Sequence, residues 1–378
     1  MVLDGIPLLD HHCHGVVDAD LDRPTFESLL SEAPASPGRN RFGSLLGLAV
    51  RRWCAPVLDL EPHAEPDAYL ARRAELGWAQ ASRRLLRASG VREWLVDTGY
   101  AAGSLTDPAE LAELGGGRAA RVCRVETVAE LAGPSLTAAG WSDGVERALR
   151  AEAEGAVGLK TVVAYRTGLA LPEAPPTTAD VVRAAGQWLR RRGRRIDDPV
   201  LGGWLVHLGV RLSAELGLPL QVHTGFGDPD VRLPRANPAL LSDLLATTER
   251  TGARFMLLHC WPYQRDAGYL AHVFSHVFVD VGLAVPYVGV RAREVLAELL
   301  ELAPFRSVCF SSDGYGLAEL HFLGALLWRR ALAQLLDEWI AEDALTAADA
   351  ERLSAAMAFH NAARAYSIPA PSGEPTPS

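Results

Sequence analysis

Eight short apolar runs, each followed by a longer helix-like stretch, organise the 378-residue sequence. They are Ile6–His14, Val91–Gly99, Arg121–Glu126, Val157–Ala164, Leu218–Thr224, Arg254–Cys260, Val277–Leu283 and Ser307–Asp313. Parallel strands covered on both faces read as near-continuous apolar segments, and their alternation with helices requires crossover connections. The pattern predicts an α/β fold of the (β/α)8 TIM-barrel class. Two connections are longer than such a barrel needs. Residues 15–90 carry a Pro/Gly-rich loop and helical patterns near Arg41–Trp53 and Pro66–Ser89. Residues 165–217 carry a Pro-rich loop at Leu171–Pro176 and helical patterns near Thr178–Arg192 and Pro199–Leu216. Both insertions leave the carboxyl ends of strands, so they are expected to wall or cap a pocket, with an oligomer contact or inert elaboration as the alternative. Helices over Leu317–Glu342 and Thr346–Tyr366 follow the last strand. The domain reading is one barrel over residues 1–368, then a disordered tail over 369–378.

Charge narrows the partners. Asp and Glu total 46 against 37 Lys and Arg, a net charge of −9, which is a poor match for nucleic acid or an anionic membrane. A small-molecule substrate is the expected partner, and a homo-oligomer stays open. The five cysteines, Cys13, Cys54, Cys123, Cys260 and Cys309, form no CxxC pair, so a reducing cytoplasm fits better than a disulfide framework. Residues 1–14 lack the pattern of a signal peptide, and the apolar stretch Val277–Val290 is interrupted by Asp280 and Pro286, so neither export nor a membrane span is expected. No GxGxxG occurs, and Gly115-Gly116-Gly117 reads as a turn. Without a GxSxG, a covalent serine hydrolase is disfavoured.

Chemistry gathers at the strand ends. In Asp10-His11-His12-Cys13-His14, strand alternation sends His12 and His14 to one side, toward the barrel mouth, and His11 and Cys13 toward the helices. His223 ends the fifth run, His259 the sixth and Asp313 the eighth. Each alone reads as readily as a satisfied buried side chain or a cap. Together, at carboxyl ends that converge on one face of a barrel, they form a candidate metal site, and imidazole with carboxylate suits zinc, iron or manganese better than magnesium or calcium.

The set His12-x-His14, Lys160, His223, His259, Asp313 resembles the amidohydrolase superfamily, from Leu8 to Tyr366. Gly158-Leu-Lys-Thr-Val-Val-Ala-Tyr-Arg166, Gln221-Val-His-Thr-Gly-Phe-Gly-Asp228 and Ser311-Ser-Asp-Gly-Tyr-Gly316 look most like its amidohydrolase-related branch, which includes domains fused to glutamine synthetase in some fungal and plant proteins. The resemblance implies a barrel that activates water on one or two divalent transition metal ions. His12, His14 and Asp313 would hold the first; His223 and His259 would hold a second, or His223 would join the first while His259 polarises the substrate. Asp313 would move the proton from water to the leaving group. It further implies that Lys160 reacts with CO2 to give a carbamate bridging two metals. Of the 37 basic residues, one is lysine and 36 are arginine. Arginine cannot replace it in that reaction, because guanidinium stays protonated. The alternatives are a Lys160 ammonium facing a substrate carboxylate and an accident of composition.

Substrate contacts are expected from Tyr165 and Arg166, just after Lys160, from Arg232 in the loop after His223, and from Trp261 beyond His259. Glu126 is expected at the end of the third strand, orienting a ligand or Lys160. His207, His272, His276, His321 and His360 read as surface or packing residues. The expected activity is hydrolysis of a C–N, amide-type bond with zinc as the first metal choice. Alternatives are a one-metal decarboxylase, a thioester hydrolase, or a non-catalytic metal-binding regulatory domain.

Overall fold

The computed structural model describes residue 3 and residues 5–34, 40–100, 103–191 and 195–369. The expected tail lies outside the described residues except for Pro369. The chain forms two compact units, Met1–Ala120 with Asp280–Ser378, and Arg121–Val279.

In the first unit, β1 (Leu8–Cys13) pairs in parallel with β2 (Val91–Asp97). Every residue of β1 is buried, as a strand covered on both faces must be. The pairing runs from Asp10 opposite Trp94 to Cys13 opposite Val96, so β1 carries one more residue than its partner there, a bulge. On the other edge of β1 the expected eighth strand is an extended segment instead of a regular ladder. The His11 amide donates to Phe310 O (3.2 Å) and the Asp313 amide to His12 O (3.0 Å). Between them, the Ser312 amide donates to the Asp10 carboxylate (2.9 Å) and Asp313 takes a φ of 49°, so the regular alternation of main-chain bonds is broken.

The helical pattern Pro66–Ser89 is two helices, Pro66–Leu76 and Trp78–Ala88, divided at Gly77, whose φ of 74° suits glycine. That over Arg41–Trp53 breaks into a 3-10 turn, an α-turn capped by Ser44 Oγ on the Gly47 amide, and a π-turn over Val50–Cys54. The triple glycine is a turn as expected, and it is also a packing device: a Cβ on Gly115 would lie 2.2 Å from the ring of buried Trp94. Gly115→Ala is expected to cost about 1–3 kcal/mol by overpacking, read as a lower denaturant midpoint at unchanged slope.

In the second unit β3 (Arg118–Arg124, here from Arg121 onward), β4 (Ala156–Thr161), β5 (Leu220–His223), β6 (Phe255–Leu258) and β7 (Val277–Val279) pair in chain order, all parallel. Helices intervene at each step. Pro199–Leu216 matches its sequence signals at both ends: Asp198 accepts the Val200 and Leu201 amides, Pro199 opens the helix, and Gly217 closes it in the left-handed region. Trp141 packs against Trp188 and Trp204, with ring centroids 6.2 and 5.3 Å apart, and anchors the helices over the sheet face. All five cysteines are buried thiols, in keeping with the expected absence of disulfides. Among the described residues no helix is long and apolar enough to cross a membrane.

Candidate metal centre

In the first unit the end of β1 and the segment after Phe310 bring His12, His14 and Asp313 together. His12 Nε2 lies 3.0 Å from Asp313 Oδ1 and His14 Nε2 lies 3.5 Å from the same oxygen. The two rings stand nearly perpendicular, 5.2 Å apart. His14 Nδ1 is 2.9 Å from the carbonyl of Asp97, which can only accept, so Nδ1 carries the hydrogen. Nε2 is then the nitrogen that faces the carboxylate oxygen, and it can offer a lone pair there. Two such groups repel unless a proton or a cation lies between them. His12 is 0% and His14 7% exposed, so water screens the charge poorly. Two imidazole nitrogens converging on one carboxylate oxygen, with one ring oriented from behind by a carbonyl, fit zinc, iron or manganese.

Sequence reasoning missed several neighbours. The Asp97 carboxylate, at the end of β2, lies with the His12 and His14 nitrogens within 4.8 Å of one another, and is itself oriented by the Gly99 amide (2.9 Å). Tyr100 and Tyr315 stand 5.5 and 6.4 Å from the His14 ring and 5.1 Å from each other. Burial pushes the Tyr315 phenol up, so it stays protonated and can donate. His321, read as packing, is fully buried and lies against Gly314, where a Cβ would come within 2.4 Å of its ring. Burial pushes its imidazole down to about 3, so it is neutral.

The second unit holds the other predicted residues. Lys160 sits near the end of β4, 2% exposed, paired in register with Arg124 and Gln221. Its neighbour Thr161 donates to Glu126 (2.5 Å), which also accepts the Val162 amide (3.0 Å). Glu126 is therefore placed to hold the exit of β4, but from the first turn of the helix Val125–Ala132 and not from a strand end, because β3 stops at Arg124. Burial raises its carboxyl. His223 closes β5, and His259 follows β6 in a left-handed conformation, φ 72°, continued by Cys260 at 48°. Their rings are 4.6 Å apart, and the Tyr165 ring is 4.3 Å from His223. Gly227 has no room for a side chain there: its Cβ would fall 2.2 Å from Tyr165 Oη and 3.1 Å from His223 Nε2.

The predicted substrate contacts divide. Tyr165 is against His223, and Arg166, half-buried beside it, is 3.3 Å from Glu130. Trp261 is half-buried and meets Phe226 edge-on at 5.7 Å. Arg232 is exposed at the start of the turn Leu233–Arg235. Among the others, half-buried His207 bonds the Pro172 carbonyl (2.9 Å) and His276 packs beside Phe255, both packing roles as expected.

Seven parallel strands alternating with helices, several of them ending in or followed by imidazoles and carboxylates, are of the TIM-barrel-like α/β class. The amidohydrolase profile matches residues 60–368, a range that includes Lys160, His223, His259 and Asp313 but begins after His12 and His14. The chain belongs to the amidohydrolase family. It is 34% identical over 223 residues to protein fluG of Emericella nidulans, a match covering 56% of this chain and 26% of that protein, so the chain spans about a quarter of that relative's length. Its fold is similar over 97% of its length to 96% of a Lactobacillus casei protein assigned as a metal-dependent hydrolase, with a TM-score of 0.82 and 27% identity. A uronate isomerase from Bacillus halodurans aligns over 97% of this chain and 94% of its own, with a TM-score of 0.65 at 13% identity, a likeness of fold alone.

Proposed function

We propose that this protein is a metal-dependent hydrolase that cleaves the C–N bond of a small amide, such as one formed by a carboxylic or amino acid. The observation that carries the reading is the convergence of His12 Nε2 and His14 Nε2 on Asp313 Oδ1 in a buried place. Family membership and the likeness to the Lactobacillus casei protein support it. His12, His14 and Asp313 hold the ion in this reading, zinc being the first choice. A bound ion there supplies Lewis acidity and a water whose pKa falls toward about 7.

The chain's own groups do the rest. Asp313 accepts a proton from the attacking water at its carboxylate and returns it to the leaving nitrogen, so that a neutral amine departs. His259 donates to the substrate carbonyl or serves with His223 as a ligand. Tyr165 and Arg166 orient the acyl part, the guanidinium pairing with a substrate carboxylate. Lys160 serves as a carbamate ligand formed with CO2, or as the ammonium that meets that carboxylate. Only the carbamate role requires a neutral amine, which arginine does not offer.

The test is a panel of N-acyl amino acids and amino-acid amides, assayed before and after chelation and with zinc, manganese or iron restored. Turnover lost on chelation and regained with metal is expected. Turnover indifferent to chelation, or metal-loaded protein inert toward every amide yet releasing CO2 or a thiol from other acids and thioesters, overturns the amide reading. Metal content separates the roles of Lys160: Lys160→Ala is expected to lose one of two ions if it bridges, and to keep its single ion if the ammonium serves the substrate.

A further inference from the structure

Behind the His12–His14 pair lies a second group of donors that the proposed hydrolysis does not use. Asp10 and Cys13 come from β1, and His321 from the helix Ala318–Ala341. A carboxylate oxygen, the thiol sulfur and a ring nitrogen from these residues all lie within 4.8 Å of one another. The exposures of Asp10, Cys13 and His321 are all 0%. In a regular strand Asp10 and Cys13 would face opposite sides; the extra residue in the β1 bulge between them breaks that alternation.

His321 makes the cluster unusual. Neither of its ring nitrogens has a hydrogen-bond partner among the described residues. A buried imidazole normally satisfies both nitrogens, and leaving them bare forfeits their hydration with nothing in return. Here the ring is held in place regardless, wedged on Gly314, with a nitrogen directed at a thiol and a carboxylate. Cys13 has only a long contact to the Leu95 carbonyl (3.8 Å). Asp10 is the best oriented of the three, gripped by the Ser312 amide and hydroxyl. Hydrogen bonds of that kind aim a ligating carboxylate.

We propose that Asp10, Cys13 and His321 form a second, buried metal site, of the thiolate–imidazole–carboxylate type that takes zinc or cobalt. Where three atoms are no more than 4.8 Å apart, some point lies within about 2.8 Å of all of them, so movements of about 0.5–0.8 Å reach zinc bond lengths of about 2.0–2.3 Å. On binding, the Cys13 S–H bond breaks, its proton leaves to solvent, and the sulfur lone pair forms the metal bond. The ion gives His321 the partner it lacks and ties β1 to the helix Ala318–Ala341. Its role is structural, because all three ligands are closed off from solvent.

The site is separable from the hydrolytic centre by its sulfur. Protein loaded with Co(II) is expected to show a thiolate-to-metal charge-transfer band that persists in the His12→Ala/His14→Ala double variant and disappears in Cys13→Ser, with one ion fewer per chain. Should Cys13→Ser fail to fold, anomalous diffraction at the cobalt edge from the unaltered protein locates the ion directly, and a peak bonded to Cys13 Sγ is expected. No charge-transfer band, a band indifferent to Cys13→Ser, or a light-atom water at this place overturns the proposal. A second ion lost in Lys160→Ala but not in Cys13→Ser belongs to the hydrolytic centre and also overturns it.

Discussion

Replacing His14 with alanine is expected to empty the proposed metal centre and lower turnover by about 10³-fold or more, equivalent to about 4 kcal/mol of transition-state stabilisation. The reason lies in how the ring is held. The Asp97 carbonyl fixes one nitrogen and leaves the other facing Asp313 Oδ1. Alanine removes a ligand and leaves the Asp97 carbonyl without its donor. Asp313→Asn tests a different property at nearly the same shape. An amide oxygen still ligates, so more metal is retained than in His14→Ala, but it cannot accept the proton from water, and turnover falls as far. Metal content by plasma emission, read beside initial rates on the best amide of the panel, separates the two variants. Full metal in His14→Ala would remove the residue from the centre. Undiminished turnover in Asp313→Asn would remove its acid–base role.

The largest effect on stability is expected well away from that chemistry. Glu319 is fully buried, and one carboxylate oxygen accepts from Arg73 Nε (3.0 Å) and Tyr69 Oη (2.9 Å). Tyr69 is 0% and Arg73 4% exposed. Arg73→Ala leaves a carboxylate in a low-dielectric interior without its counter-charge, a loss of about 3–5 kcal/mol. Arg73 also lies over the Phe26 ring, 5.5 Å from its centroid, so some of the loss is packing. The double variant Arg73→Met/Glu319→Gln removes the charge problem while keeping volume, and is expected to recover more than half of the loss. Urea unfolding of the single and double variants reads the coupling directly. A single variant within about 0.5 kcal/mol of the parent would show that the pair is not desolvated in solution.

Much of the fold was legible because burial on two faces forces apolar runs, and seven of the predicted runs contain the observed strands or most of their residues. Their ends were less legible. Val277–Leu283 reads as one apolar run, yet the strand stops at Val279, because the Asp280 carboxylate turns to His11 Nε2 (3.0 Å) and the Gly282 amide (2.7 Å). Ser307–Asp313 has strand composition, but the Asp10 side chain takes an amide that a ladder would use. A side chain intercepting a backbone bond across some three hundred residues leaves no local trace.

Residue type and strand-end position single out His12, His14 and Asp313, whose side chains the fold brings together. Asp97 carries the same kind of signal near the end of its own run, without a neighbouring histidine to draw attention to it. Tyr100, Tyr315 and His321 lie in turn or helix patterns where such residues are common, and only the folded chain shows which of them meet the His14 ring or Gly314. Glu126, expected to orient a ligand or Lys160, instead accepts from Thr161 and the Val162 amide, and the helix that presents it begins at the residue after the strand.

The burial of Lys160 has a practical corollary. As the sequence contains no other lysine and this one is 2% exposed, the folded surface offers acylating reagents no side-chain amine. Labelling of Lys160 then reports access to the end of β4, by way of a substrate opening or by opening of the strand, without any introduced probe.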